Sequence, residues 1–200
     1  MSTSAGTRSG SVERTTRETS IRCVLTLDGG GRVNIGTGVG FLDHLLGSLA
    51  LHAGWDLELT CSGDLHIDDH HTAEDCAIVL GQALDKALGE RAGIVRFGAA
   101  YAPLDEALSR VVVDLCTRPV AVVNLGLRRE MLGTLSCENV PHVLRSLAVS
   151  GRFTLHADVL AGENDHHRAE SAFKALALAL RQATARSGGA GAVASTKGVL

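Results

Sequence analysis

Aromatic residues make up only 3% of this 200-residue chain, with four Phe, one Trp and one Tyr. Its core must therefore be aliphatic and closely packed, since alanine, leucine, valine and glycine are plentiful. A broad surface of one charge is also missing. The formal net charge is −3 with neutral histidines, and the arginines are scattered, so nucleic acid is not an expected partner. No apolar run approaches the roughly 20 residues of a membrane-crossing helix, so no membrane partner is expected. There is no Cys-x-x-Cys. Cys23, Cys61, Cys76, Cys116 and Cys137 are odd in number and sit alone in or beside apolar stretches. Reduced thiols acting as small core residues fit this better than a disulfide framework. The opening MSTSAGTRSGSVER lacks the apolar stretch of a secretory signal. Residues 1–14 are read as a disordered lead, and the expected location is cytoplasmic.

What is present is a chain 45% hydrophobic and 20% charged, an ordinary globular balance with enough residues for a sizeable core. SIRCVLTLDG at 20–29 and GRVNIGTG after it read as a hairpin. GFLDHLLGSLALHAG at 40–54 has helical spacing in Phe41, Leu45 and Leu49 and a glycine stop at Gly54. WDLELTCSGD alternates as a strand, and the stripe Ala73, Ala77, Leu80, Leu84, Leu88 marks a helix from Asp68 to about Leu88. The second half replays this order: strands at LSRVVVDL and VAVVNLGL, a helix at ENVPHVLRSLAVSG, a strand at FTLHADVLAG, and a long helix at ENDHHRAESAFKALALALRQATAR.

The repetition extends to residues. HLLGSLA at 44–50 matches HVLRSLA at 142–148 in five of seven positions, and DHHTAE at 69–74 matches DHHRAE at 165–170 in five of six. The offsets, 98 and 96, differ by two residues. The expected fold is α+β and internally duplicated: two similar units, each a small four-stranded sheet with helices packed on one face. The units are placed at 15–102 and 103–187, followed by a tail at 188–200. The uncovered side of each sheet needs a partner, either the other half or another subunit.

The duplicated clusters carry the chemistry. At about 100° per residue, His70, His71 and Glu74 share one helical face, with the carboxylate between the imidazoles. Adjacent imidazoles diverge too far to chelate one ion, so they can serve two ions or two facing partners. His166, His167 and Glu170 repeat the set, and a histidine opening each shorter helix, His44 or His142, adds to it. Six imidazoles and two carboxylates divide into two sites of three nitrogens and one carboxylate. Nitrogen and oxygen donors without thiolate suit manganese, iron, cobalt, nickel or zinc. Asp68, Asp69 and Asp165 are placed to orient imidazole N–H groups or to cap their helices. A lone histidine on a helix is usually a surface or satisfied core residue. Recurrence of the whole set in both halves argues for ligation.

TRETSI, TGVGFLDHLL, DLHIDDHHTAED, GIVRFG, PLDEALSRVVVDL, DHHRAESAFKALALALRQA and STKG together resemble the imidazoleglycerol-phosphate dehydratase family, in its monofunctional form, from about Arg14 to Leu200. The resemblance implies a hydro-lyase of histidine biosynthesis that converts D-erythro-imidazole-glycerol phosphate to imidazole-acetol phosphate. It implies two Mn2+ per active site, other divalent transition metals being possible. A 24-subunit homo-oligomer with active sites between subunits is also implied. The ligands carried over are His44, His70, His71, Glu74, His142, His166, His167 and Glu170, with their division between the two ions left open. Metal-stabilised imidazolate would expel the side-chain hydroxyl to give a diazafulvene, which loses a carbon-bound proton. By the same resemblance Glu18 is the carboxylate at the substrate and His52 lines it, with Asp105 and Glu106 as further acids. Arg96, Arg118, Lys174, Ser195 and Lys197 match the phosphate pocket. Ser48 stands where many relatives carry glutamine, and CTR at 116–118 stands where SGR is common. A dinuclear phosphate hydrolase and a metal-storage protein are the competing readings. The first needs a metal-activated water and a bridging carboxylate, whereas the acids are single per motif, and the second leaves Glu18, Arg96, Arg118 and Lys197 without purpose.

Overall fold

The computed structural model describes residues 6–187, 193–196 and 198. The first half runs β1 (Ser9–Thr15), β2 (Thr19–Thr26), β3 (Val33–Gly36), α1 (Gly40–Ala53), β4 (Asp56–Gly63) and α2 (His70–Leu88). The second runs β5 (Phe97–Leu104), β6 (Ala107–Asp114), β7 (Val120–Asn124), a two-strand excursion β8 (Met131–Leu132) and β9 (Leu135–Ser136), α3 (Asn139–Ser150), β10 (Thr154–Ala161) and α4 (Asp165–Thr184). Each half builds a four-stranded mixed sheet, in the orders β1-β2-β4-β3 and β5-β6-β10-β7. The duplicated α+β architecture expected from the sequence is the one observed.

Alternation decides which side of each sheet faces inward. On β2, Ile21, Cys23 and Leu25 are buried while Ser20 and Arg22 are exposed. The buried side carries helices: α2 lies on β1 and β2, and α4 on β5 and β6. The helices of the two halves also pack on each other, α1 against α4 and α2 against α3. One largely aliphatic core, which also takes in Trp55, Phe153 and Phe173, runs through both units, with Leu45, Leu80 and Leu144 fully buried in it. Tight approach of helix to edge strand depends on two matched glycines. A Cβ on Gly10 of β1 would fall 2.1 Å from the Ala83 carbonyl oxygen, and one on Gly98 of β5 would fall 1.9 Å from that of Ala179.

Three expectations differ from the structure. β2 and β3 do not form a hairpin, because β4 lies between them, antiparallel to β2 and parallel to β3. The connecting loop is held open by Asp56, whose Oδ1 accepts from the backbone N–H groups of Gly30 at 2.8 Å and Arg32 at 2.9 Å. The hairpin partner of β2 is β1, Ser9–Thr15, which takes up residues 9–14 of the stretch read as a disordered lead, while 1–5 lie outside the described residues. Its polar composition hides it, since only Gly10 and Val12 of this edge strand are buried. In the second half, β5 spans the boundary placed between 102 and 103, and its glycine, alanine and proline give little strand signal. None of the described helices is long and apolar enough to cross a membrane.

Candidate metal centre

Packing helix layer on helix layer brings each short helix of one half onto the long helix of the other. His44, in the first turns of α1, therefore meets α4. Its Nε2 is 3.0 Å from Glu170 Oε2, and His166 Nε2 is 3.1 Å from the same oxygen. The mirrored seam does the same with α2 and α3. His142 Nε2 lies 3.1 Å from Glu74 Oε1, and His70 Nε2 lies 3.8 Å from Glu74 Oε2. The spacing of four along each long helix puts histidine and glutamate one turn apart on one face.

Within each trio, His44–His166–Glu170 and His70–Glu74–His142, one donor atom from every residue lies within 4.8 Å of the others. Two imidazoles and a carboxylate without thiolate suit a divalent transition ion. The nitrogen of His142 adds a further observation. It is buried and, despite its nearness to Glu74, makes no hydrogen bond of adequate geometry. A buried polar atom in that state is costly, and an ion would engage it. Burial disfavours the charge on Glu170, but donors from Lys174 and His44 outweigh it and bring its pKa down to about 2. Lys174 Nζ is 2.8 Å from Glu170 Oε1.

Six of the eight expected ligands thus fall into two trios, and His71 and His167 fall outside both. Their rings diverge from their neighbours as the helix requires: the centroids are 6.0 Å apart in each pair, at 75° for His70–His71 and 86° for His166–His167. Each outlying ring is held on Nδ1 by a carboxylate. Asp64 Oδ2 is 3.0 Å from His71 Nδ1, and Glu106 Oε2 is 2.7 Å from His167 Nδ1. A second acid faces each Nε2, Glu18 at 3.7 Å from His71 and Asp105 at 3.8 Å from His167. Hydrogen bonding to Asp64 raises the His71 pKa, and bonding to Glu106 raises that of His167. Glu106 is lowered to about 2 by the backbone N–H of Asn164, by His167 and by the N–H of Glu163.

The three aspartates considered for helix starts divide their work. Asp68, one residue before the N-cap Asp69, accepts from the first N–H of α2, that of His70, at 2.9 Å. Asp69 reaches imidazole only through another residue, Asn139, which donates to it at 3.0 Å while its own Oδ1 lies 2.9 Å from His70 Nδ1. Asp165 orients no imidazole. It accepts from the backbone N–H groups of Arg128 and Arg129 at 2.7 and 2.6 Å, and the capping of α4 falls to Asn164. Asn139 and Asp64 were not singled out in the sequence, and the repeat cannot expose Asn139, whose counterpart at the offset of 98 is Phe41.

A cleft of about 310 Å³ adjoins the first trio and is lined by Ser48, His52 and Lys174 together with His44 and Glu170. Arg96 is largely committed: it pairs with Asp114 through Nε at 2.7 Å and Nη2 at 3.1 Å, and Nη1 donates to the Ala194 carbonyl at 2.5 Å. This contact brings the tail beside Ser195 to β5. The Arg118 side chain is exposed on the β6–β7 loop. Lys197 lies outside the described residues.

A family model described as imidazoleglycerol-phosphate dehydratase matches residues 37–180. The imidazoleglycerol-phosphate dehydratase of Neurospora crassa is 55% identical, covering 94% of this chain and 93% of its own length. That of Saccharomyces cerevisiae is 54% identical, over 94% and 96%. Among solved structures, the Staphylococcus aureus enzyme superimposes with a TM-score of 0.80 at 36% identity, over 90% of this chain and 99% of that one. The Pyrococcus furiosus enzyme in complex with (S)-C348 gives 0.81 at 39%, over 94% and 100%.

Proposed function

The chain belongs to the imidazoleglycerol-phosphate dehydratase family, and from that membership we propose how its residues carry out the reaction. It is a hydro-lyase of histidine biosynthesis acting on a phosphorylated small molecule. The finer reading is that it removes water from D-erythro-imidazole-glycerol phosphate to give imidazole-acetol phosphate. Two divalent ions per site, Mn2+ first among them, would be held by His44, His166 and Glu170 and by His70, Glu74 and His142. The observation that carries this is the assembly of two matched trios across the seam between the repeats. When bound, the ions supply Lewis-acid stabilisation of negative charge developing on the substrate ring.

The remaining work falls to the chain itself. The departing proton sits on carbon with no neighbouring carbonyl, so it needs a placed base. Glu18 is assigned that role: it lies in the β1–β2 turn, 3.7 Å from His71 Nε2, where a carboxylate can take a proton and pass it on. His52 lines the cleft beside the first trio and is assigned a second proton-handling position. Lys174 in that cleft, Arg96 and Ser195 near the tail, and Arg118 and Lys197 are assigned to the substrate phosphate.

A 24-subunit particle with sites between subunits belongs to the same proposal, as does a cytoplasmic location. Each trio offers one imidazole fewer than the three expected per ion. His71 and His167, held by carboxylates on Nδ1, keep Nε2 available for a neighbouring copy. Incubation of Mn2+-loaded protein with imidazole-glycerol phosphate tests the reaction. Ketone without inorganic phosphate is the expected product; phosphate release would instead mark a hydrolase, and neither product would mark a metal-storage protein. Size-exclusion chromatography with and without EDTA tests the assembly. A smaller particle after chelation is expected, and an unchanged monomer in both runs would overturn the intersubunit site.

A further inference from the structure

The two trios match in their donors but not in what surrounds them. His70 Nδ1 lies 2.9 Å from Asn139 Oδ1, and Asn139, buried at 2% exposure, donates through Nδ2 to Asp69 Oδ2 at 3.0 Å. Asp69 also accepts from Ser136, from its N–H and from its hydroxyl, each at 2.7 Å. Asp69 Oδ2 already accepts the Ser136 backbone N–H, which can only donate, so that oxygen serves as an acceptor and the Asn139 amide turns its NH2 toward it and its own oxygen toward His70. His70 then carries its proton on Nδ1, and the Nε2 lone pair points into the trio.

Among the described residues, the other trio has no such chain of constraints. Aligning His44 with His142 puts Phe41 where Asn139 stands. Its ring and that of His166 meet in a T-shaped contact, with centroids 4.9 Å apart at 61°. A phenyl group offers no oxygen or nitrogen to hold an imidazole N–H, so it sets no tautomer. Aligning His166 with His70 puts Lys174 where the first repeat has Ile78. The ammonium, 2.8 Å from Glu170 Oε1, neutralises part of that carboxylate and repels an incoming dication.

We infer that the trios are unequal metal sites: His70–Glu74–His142 is the tight one, with Asn139 as its positioning residue, and His44–His166–Glu170 is the weak one. The inference rests on the divalent-metal reading above. Chelator-stripped protein titrated with Mn2+ against a chromophoric competitor tests it without reference to turnover. The wild type should show two classes of equal stoichiometry, separated by about tenfold or more. Asn139→Leu should weaken the tight class by about 10- to 100-fold, the range for a lost orienting partner, and leave the weak class in place. Lys174→Met should tighten the weak class alone. Two classes of equal affinity in the wild type would overturn the inequality. So would an Asn139→Leu protein in which both classes weaken together, because general loosening of the fold spares neither. Absence of any bound Mn2+ would overturn the metal reading along with it.

Discussion

His142 Nε2 stands 3.1 Å from Glu74 Oε1, although the two residues belong to different halves of the duplicated chain. Neither half alone can complete a trio. His142→Ala should remove one bound ion and lower kcat/KM by at least about 100-fold, since loss of several kcal/mol of Lewis-acid stabilisation is worth that much. Elemental analysis of the purified variant beside its turnover is the measurement. Full metal content with full activity would contradict the assignment.

Glu18 lies 3.7 Å from His71 but belongs to neither trio. Glu18→Gln should therefore keep the wild-type metal content and lose about 10²- to 10⁴-fold in kcat, the range for a missing acid–base group. Steady-state kinetics on the metal-loaded variant decide this. A change confined to KM would make Glu18 a binding residue instead.

The close approach of α4 to β5 predicts a defect remote from the chemistry. Gly98→Ala would set its Cβ 1.9 Å from the Ala179 carbonyl oxygen, backbone that can only move as a unit. The expected cost is about 1–3 kcal/mol. Urea denaturation of the variant should show a lowered midpoint, and an unchanged midpoint would mean that the helix sits further from the strand.

Asp28, in the β2–β3 loop, gathers Arg8 from before β1 and Arg186 from after α4. Arg8 reaches it through Nε at 3.0 Å and Nη2 at 2.5 Å, and Arg186 through Nη2 at 3.2 Å. Hydrogen bonding to Arg8, against a smaller burial effect and with help from Arg186, lowers its pKa from 3.8 to about 2. A depressed carboxylate stabilises the fold above its unfolded value and loses that contribution as pH falls through the folded one. Wild-type protein should thus unfold at a higher temperature than Asp28→Asn at pH 5 to 7, the gap closing between about pH 4 and pH 2. Thermal melts across that range measure it, and a gap undiminished at pH 2 would refute the ion-pair origin.

Much of this molecule was legible in its primary structure because the signals were periodic or duplicated. The stripe through Ala73, Ala77, Leu80 and Leu84 marked α2, and Gly54 marked the end of α1, where it adopts φ 75°. What stayed hidden had weak or misleading local signals. β1 is an edge strand with a polar sequence, and β5 is interrupted by glycine and proline. The turn at Gly30 looked like a hairpin because the insertion of β4 depends on residues farther along the chain.

The sequence by itself determined that the chain is duplicated, and that two long helices each open with paired histidines and a glutamate one turn on. That follows from residue identity and the helical repeat alone. Only the tertiary structure decided which imidazole joins which carboxylate. Helices of one half lie on helices of the other, so His44 meets Glu170 and His142 meets Glu74, while adjacent rings diverge and leave His71 and His167 elsewhere. Tertiary packing also set Asn139 behind one trio and Phe41 beside the other, an asymmetry that arises where the two repeats differ.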